Sequence, residues 1–282
     1  MRKTLLLLFL ISLTPLLHAQ QPQTMQQEYD FIMYLVGSGL KNDAVTAMER
    51  TTLTGDSIEF LKGYAFYSAR MLDSSVACFS KVSPASPLFA ESMFFASLSK
   101  AHLGYPSDAE KLLERIPDDD DFSNLRKFEI AGMRLLQRDL DAFDRYYSLL
   151  DTTDFRLTTE ANNLLTVRKE IASHKNRRPW VAGTLSALVP GLGRIYAGNF
   201  GEGLASFLLV GSMAAVTTEN WLRKGPANWK TIVAGLLSTV FYIGNIYGSV
   251  AAVKVAMNDF NHQMDVQILY DIHIPLRASF RH

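Results

Sequence analysis

Residues 231–253 read TIVAGLLSTVFYIGNIYGSVAAV, 23 positions without a charged side chain. At about 1.5 Å per residue such a helix is roughly 35 Å long, enough to cross a hydrocarbon core ~30 Å thick. Upstream, Gly203 to Thr218 is also uncharged, and extending it to Phe200–Trp221 gives a second stretch of spanning length with Glu202 and Glu219 near its ends. Ahead of both stands a turn-rich segment, Pro190-Gly191-Leu192-Gly193-Arg194-Ile195-Tyr196-Ala197-Gly198. Together these predict a membrane domain over residues 180–257, a transmembrane helical hairpin in the lipid bilayer, with a tail at 258–282.

Pro190 should end a short apolar helix, Val181 to Val189, too brief to span, and the glycines after it permit a tight turn. That short helix is read as interfacial or re-entrant, with Trp180 and Tyr196 at headgroup level and Trp221 and Trp229 at the far side. Small residues recur at every fourth position, Gly211 and Ala215 on the first span and Gly244, Gly248 and Ala252 on the second. Such stripes let helix backbones approach, either as the seam of the hairpin or as the face of a homodimer. Asn245, deep in the second span, suits an interhelical hydrogen bond or a substrate or ion role. No intramembrane pair of Asp, Glu or His is present to build a proton relay or metal site, which argues against a transporter or intramembrane hydrolase. The glycine-rich turn lacks the following Lys-Ser/Thr and the preceding strand of a phosphate loop.

Pro190-Gly191-Leu192-Gly193, then Tyr196, then Gly198, Gly201 and Gly203 entering an apolar helix, resembles the motif of a family of small domains with two transmembrane helices. The match covers about residues 180–255. It implies a turn leading into a helical hairpin, and architecture more than activity. This chain has Arg194 where relatives often carry an amide.

Residues 21–175 hold 23 Asp/Glu and 17 Lys/Arg, net −6, whereas residues 176–282 hold 5 and 9, net +4. An acidic soluble part therefore precedes a basic membrane part. An acidic region without a Lys/Arg cluster offers a phosphate backbone no footprint, so nucleic acid is excluded as a partner. Arg2-Lys3, the apolar run Leu5 to Leu13 and Leu17-His18-Ala19 have the parts of a secretory signal peptide over residues 1–20, cleaved or kept as an anchor; either way the next domain is exported. No cysteine stands at the exit, so it is not a lipoprotein signal. Cys78, the single cysteine, can form no internal disulfide and is expected to be a small core residue rather than a reactive thiol.

The soluble part repeats itself. Asp43-Ala44, Ser74-Ser75, Asp108-Ala109 and Asp141-Ala142 recur at spacings of 31, 34 and 33 residues. Met48, Phe79, Leu113 and Tyr146 follow four residues after the second member of each pair, and Thr51, Val82, Ile116 and Leu149 seven after it. The first member can cap a helix, the small second member allows close approach, and the later positions bury on one face. An amphipathic run precedes each unit, so the pattern predicts four helical hairpins with Thr158 to Ser173 as a terminal capping helix. Asp118 to Asp121 lacks the alternation and glycine of a calcium loop and reads as a solvated inter-repeat loop that favours the next helix N-terminus.

This arrangement resembles the tetratricopeptide repeat family, antiparallel helix pairs stacked into a superhelix. Gly63, Phe66, Phe79 and Pro87 of the second unit match its positions best. The resemblance implies a concave groove for a protein or peptide partner within a repeat domain over residues 28–174. No ladder of Asn, Lys or Arg recurs to capture a peptide carboxylate.

The expected class is all-α: a tetratricopeptide-like helical-hairpin solenoid followed by a transmembrane hairpin. His102, His174, His262 and His273 fall in no metal-ligand or triad-like spacing and Cys78 has no local base, so neither catalysis nor a cofactor or metal is expected. The chain reads as a membrane-anchored, non-enzymatic scaffold or adaptor of the bacterial cell envelope; the alternative is an accessory factor for membrane-protein insertion or assembly. Export puts the repeat domain in the periplasm, outside the inner membrane, with Arg223, Lys224 and Lys230 in a cytoplasmic loop. Lys175, Arg177, Arg178 and Arg194 flank the opposite side, and by charge count alone the orientation would reverse. Val266 to Tyr270 reads as a short strand-like or extended piece.

Overall fold

The computed structural model describes residues 24–117, 122–151 and 153–280. The segment expected as a signal peptide, residues 1–20, and the run Asp118 to Asp121 lie outside them. Among the described residues the chain is all helical, without a strand. They divide into two compact units: residues through Asn162 together with those from Asp271 onward, and Asn163–Tyr270. The division thus falls inside a helix rather than at residue 174, and the last residues join the first unit instead of standing apart as a tail.

The first unit contains four helix pairs: α1 (Met25–Gly37) with α2 (Lys41–Arg50), α3 (Asp56–Ser68) with α4 (Leu72–Phe79), α5 (Phe89–His102) with α6 (Pro106–Leu113), and α7 (Ser123–Leu136) with α8 (Leu140–Ser148). Each helix packs on the next, and α3 also touches α1 and α5. The turn within every pair is the same. Gly39, Arg70, Gly104 and Arg138 take φ of 80°, 64°, 84° and 62°. The following amides, of Leu40, Met71, Tyr105 and Asp139, donate to the carbonyls of Leu35, Phe66, Lys100 and Arg134 at 2.9–3.0 Å. This left-handed closure satisfies carbonyls that the end of a helix leaves without partners.

Because the turns close through the backbone, the second helices begin earlier than predicted. Asp43, Ser74, Asp108 and Asp141 lie inside the first turn and are not caps. Of these four helices α8 alone has a side-chain cap, Asp139, which accepts from the Ala142 amide at 3.0 Å. The predicted core positions Ala44, Met48, Phe79, Ala109, Leu113 and Ala142 are buried, and Phe66 packs half-buried against the first core cluster. Gly63 has a specific reason to lack a side chain: a Cβ there would stand 2.7 Å from the Phe79 ring. In the fourth unit Tyr146 is half-buried and Leu149 exposed, and Phe143 fills the core instead. A second clamp recurs two units apart, where Asp56 accepts from the Ser83 amide at 3.1 Å and Asn124 accepts from the Asp151 amide at 2.9 Å.

Helix α9 (Thr158–Ser173) leads into the second unit, which continues with α10 (Pro179–Leu188), α11 (Leu192–Ala197), α12 (Phe200–Lys224) and α13 (Trp229–Ser279) as far as Tyr270, the rest of α13 belonging to the first unit. Residues 266–270, expected as strand-like or extended, are helical within α13. Helices α12 and α13 are long and apolar enough to cross a membrane by length and composition. Little of that apolar surface is covered; Phe207, Leu208, Leu236, Val240 and Tyr247 are all exposed. Contiguous exposed apolar surface on this scale calls for lipid or protein against it.

Candidate functional site

In the first unit, α3, α5 and α7 share a face on which the end of α13 lies. Gly132 of α7 leaves a notch for Ile272: a Cβ on Gly132 would be 2.5 Å from Ile272 Cγ2. Phe280 packs among Phe94, Phe95 and Phe122, with ring centroids 5.6, 6.4 and 4.6 Å away. Tyr67 of α3 and His273 share a hydrogen bond, 3.0 Å from hydroxyl oxygen to Nε2. Burial pushes the Tyr67 hydroxyl up to about 12, and burial with the nearby Arg277, His102 and Arg70 holds His273 down at about 4, so the bond joins two neutral groups at neutral pH. Leu276 is fully buried, and with Ile272 and Phe280 it forms a stripe at every fourth position, one face of the helix and the residue that follows it.

Glu129 lies one turn before Gly132 on α7 and is 1% exposed. Neither of its carboxyl oxygens has a hydrogen-bond partner, and burial pushes its carboxyl well above the usual carboxylate range. An unpaired buried carboxyl is a costly group to retain in a protein interior. Cys78, in contrast, is an ordinary core residue, buried and with its thiol pushed up by that burial.

The second unit concentrates its polar groups where α10 meets the Pro190–Gly198 segment. Gly191 and Gly198 adopt φ of 86° and 105°, and between them Leu192–Ala197 is a short helix, so the motif is turn, helix, turn rather than one turn. Asn245 Oδ1 accepts from the Gly191 amide at 3.1 Å and its Nδ2 donates to the Ser186 carbonyl at 3.3 Å. Ser186 Oγ accepts from the Gly193 amide at 2.9 Å and stands 2.7 Å from Ser249 Oγ. Asn245 on α13 thus bonds the end of α10 and the turn that follows it. The Tyr196 hydroxyl accepts from the Arg178 amide at 3.1 Å, the Arg177 guanidinium donates to the Ala197 carbonyl, and Arg194 pairs with Glu202 at 3.0 Å.

The glycines of this motif have separate tasks. A Cβ on Gly191 would collide with the Gly203 carbonyl, and one on Gly193 with the Ala182 carbonyl and with Ser186 Oγ. The small-residue stripes divide. Gly248 faces the Arg194 guanidinium and Ala252 packs on the cluster of Ala182, Ala197 and Val253. Gly211, Ala215 and Gly244 are exposed, and no atom comes within 4 Å of a Cβ placed on either glycine. Where a tight seam was expected, α12 and α13 instead flank an open groove of about 410 Å³ lined by Phe207, Val210, Ala214, Thr239 and Tyr242, with Pro190 at its edge.

Sequence reasoning missed Glu129 and Phe280 and set His273 aside because nothing local marks them; they meet only through tertiary packing. Ser186 and Ser249 carried a fainter signal as hydroxyls inside apolar helices. Among the described residues no group of three or more His, Cys, Asp or Glu is arranged to hold a metal. No protein-family model, curated protein or solved structure matches this chain.

Proposed function

We propose that the chain is a membrane-anchored, non-enzymatic scaffold or adaptor of the bacterial cell envelope, whose repeat domain binds a protein or peptide partner. The observation that carries this is the face of α3, α5 and α7, which already holds a helical segment in a notch at Gly132 and an aromatic pocket around Phe280. A surface that seats one helix has the shape and chemistry to seat another. The recurring left-handed turns and sequential packing support a tetratricopeptide-like solenoid. The exposed apolar faces of α12 and α13 support a transmembrane hairpin in the inner membrane, with the repeat domain in the periplasm after export. The open Gly211, Ala215 and Gly244 suit a homodimer contact in the bilayer.

The second reading, an accessory factor for membrane-protein insertion or assembly, draws on the open apolar groove between α12 and α13, which could pack a client helix. Co-purification of the full chain from mild detergent separates the two. A small set of stoichiometric partners is expected for the scaffold; many unrelated nascent membrane proteins would establish the assembly factor. Neither class of partner in the eluate would defeat both readings.

A further inference from the structure

The segment 271–280 belongs to the first unit although 108 residues separate it from the rest of that unit. It presents an amphipathic stripe, Ile272, Leu276 and Phe280, to the face that the preceding proposal assigns to a partner. Its fit is specific at Gly132 and around Phe280, and incomplete at Glu129. That carboxyl lies buried on the same face as Gly132, close enough to act on the Tyr67 hydroxyl, yet no group of the segment or of its surroundings bonds to it. A permanent core element would be expected to satisfy or exclude such a group. A resident that can leave has no such requirement.

We propose that residues 271–280 are an intramolecular ligand occupying the repeat domain's own docking face, and that the external partner is an amphipathic helix that displaces them. The displacing helix carries an aliphatic residue for the Gly132 notch, a large apolar residue eight positions later for the Phe94, Phe95 and Phe122 pocket, and a hydrogen-bond donor for Glu129 that the resident lacks. Self-occupancy makes the apparent affinity for the partner weaker by the fraction of time the face is free. The chain is therefore closed by default, and opens for a helix that makes the additional bond. This inference rests on the scaffold reading for its physiological meaning, while its test does not.

The geometry supplies a lock. A Cβ on Gly132 stands 3.8 Å from the Cβ of Ile272, the usual separation across a disulfide. In full-length chain carrying Cys78→Ala, the pair Gly132→Cys and Ile272→Cys should cross-link without moving the backbone. The probe is a fluorescent synthetic peptide with the sequence of residues 266–282; for the lock, whose Gly132→Cys side chain narrows the notch, the peptide carries Ile272→Ala. The oxidised chain in detergent should fail to bind it, and reduction should restore binding with at least a tenfold change in apparent Kd. A second variant, Leu276→Asp with Phe280→Asp, leaves the face untouched and should bind the peptide at least tenfold more tightly than the unaltered chain. Equal binding by oxidised and reduced lock would place the peptide elsewhere. Absence of binding by the Asp variant, with its tail shown by proteolysis to be released, would make the segment a fixed part of the core. Either result overturns the proposal. If defined partners still co-purify with the oxidised lock, the scaffold reading survives and this one fails; if they are lost on locking and return on reduction, both hold.

Discussion

Glu129 and His273 meet the same face of the repeat domain and respond to pH in opposite directions. Burial raises the Glu129 carboxyl well above 4.5, so the folded chain keeps a proton that the unfolded chain releases. Its contribution to stability is full below the unfolded value and is lost as pH rises through the folded one. His273 is held at about 4 against an ordinary 6.5 by burial and the charges of Arg277, His102 and Arg70. Its contribution is full above 6.5 and is lost as pH falls toward about 4. Stability should therefore peak on weakly acidic to neutral ground. Glu129→Gln removes the alkaline limb. It should raise the melting temperature of the full chain in detergent at pH 8 by several degrees, since the amide has no proton to lose as pH rises while the carboxyl is penalised for its charge, and each kcal/mol is worth roughly 2–4 °C at this size. At pH 4 the variant should melt with the unaltered protein. An equal shift at both pH values would show that protonation of Glu129 is not the cause.

At the scale of elements, the motif around Pro190 explains why two of its glycines are not equivalent. Gly193→Ala puts a methyl group against the Ala182 carbonyl, Ser186 Oγ and Ser249 Cβ, and should destabilise the second unit by about 1–3 kcal/mol. Gly201→Ala, in open space on α12, should be neutral or mildly stabilising through helix propensity. Thermal unfolding of the two variants side by side checks this, and equal losses would refute the packing account. How much of these elements could be read beforehand follows from the same physics. The repeat was legible because a small residue recurs wherever helices meet closely, at Ala44, Ser75, Ala109 and Ala142. Its turns were half hidden: Gly39 and Gly104 announce a left-handed residue, whereas Arg70 and Arg138 adopt the same conformation without any sign of it. Val266 to Tyr270 misled through composition, since β-branched and aromatic residues favour strands only where a pleated neighbour exists. Here they continue a helix. Asn245 was rightly singled out as polar, but its partners lie on an element whose position no spacing rule supplies.

For the whole molecule, membership of residues 271–280 in the first unit constrains topology. If α12 and α13 cross a bilayer, the chain must leave and return on one side, because the flanks of residues 163–270 share a core. Two crossings satisfy this and one does not. Paired periplasm-active and cytoplasm-active reporters after Lys175, between Lys224 and Ala227, and after His282 should read outside, inside, outside. A cytoplasmic signal after Lys175 would invert the orientation, and unlike signals at the two flanks would contradict the shared core. That shared core also sets a clock. The chain is made from its N-terminus, so the repeat helices emerge first, and 108 residues must follow before their last structural neighbour exists. At synthesis rates of 5–20 residues per second this interval is roughly 5–20 s. Throughout it, the aromatic pocket and the Gly132 notch stand open to any passing helix, and the arrival of residues 271–280 brings that exposure to an end.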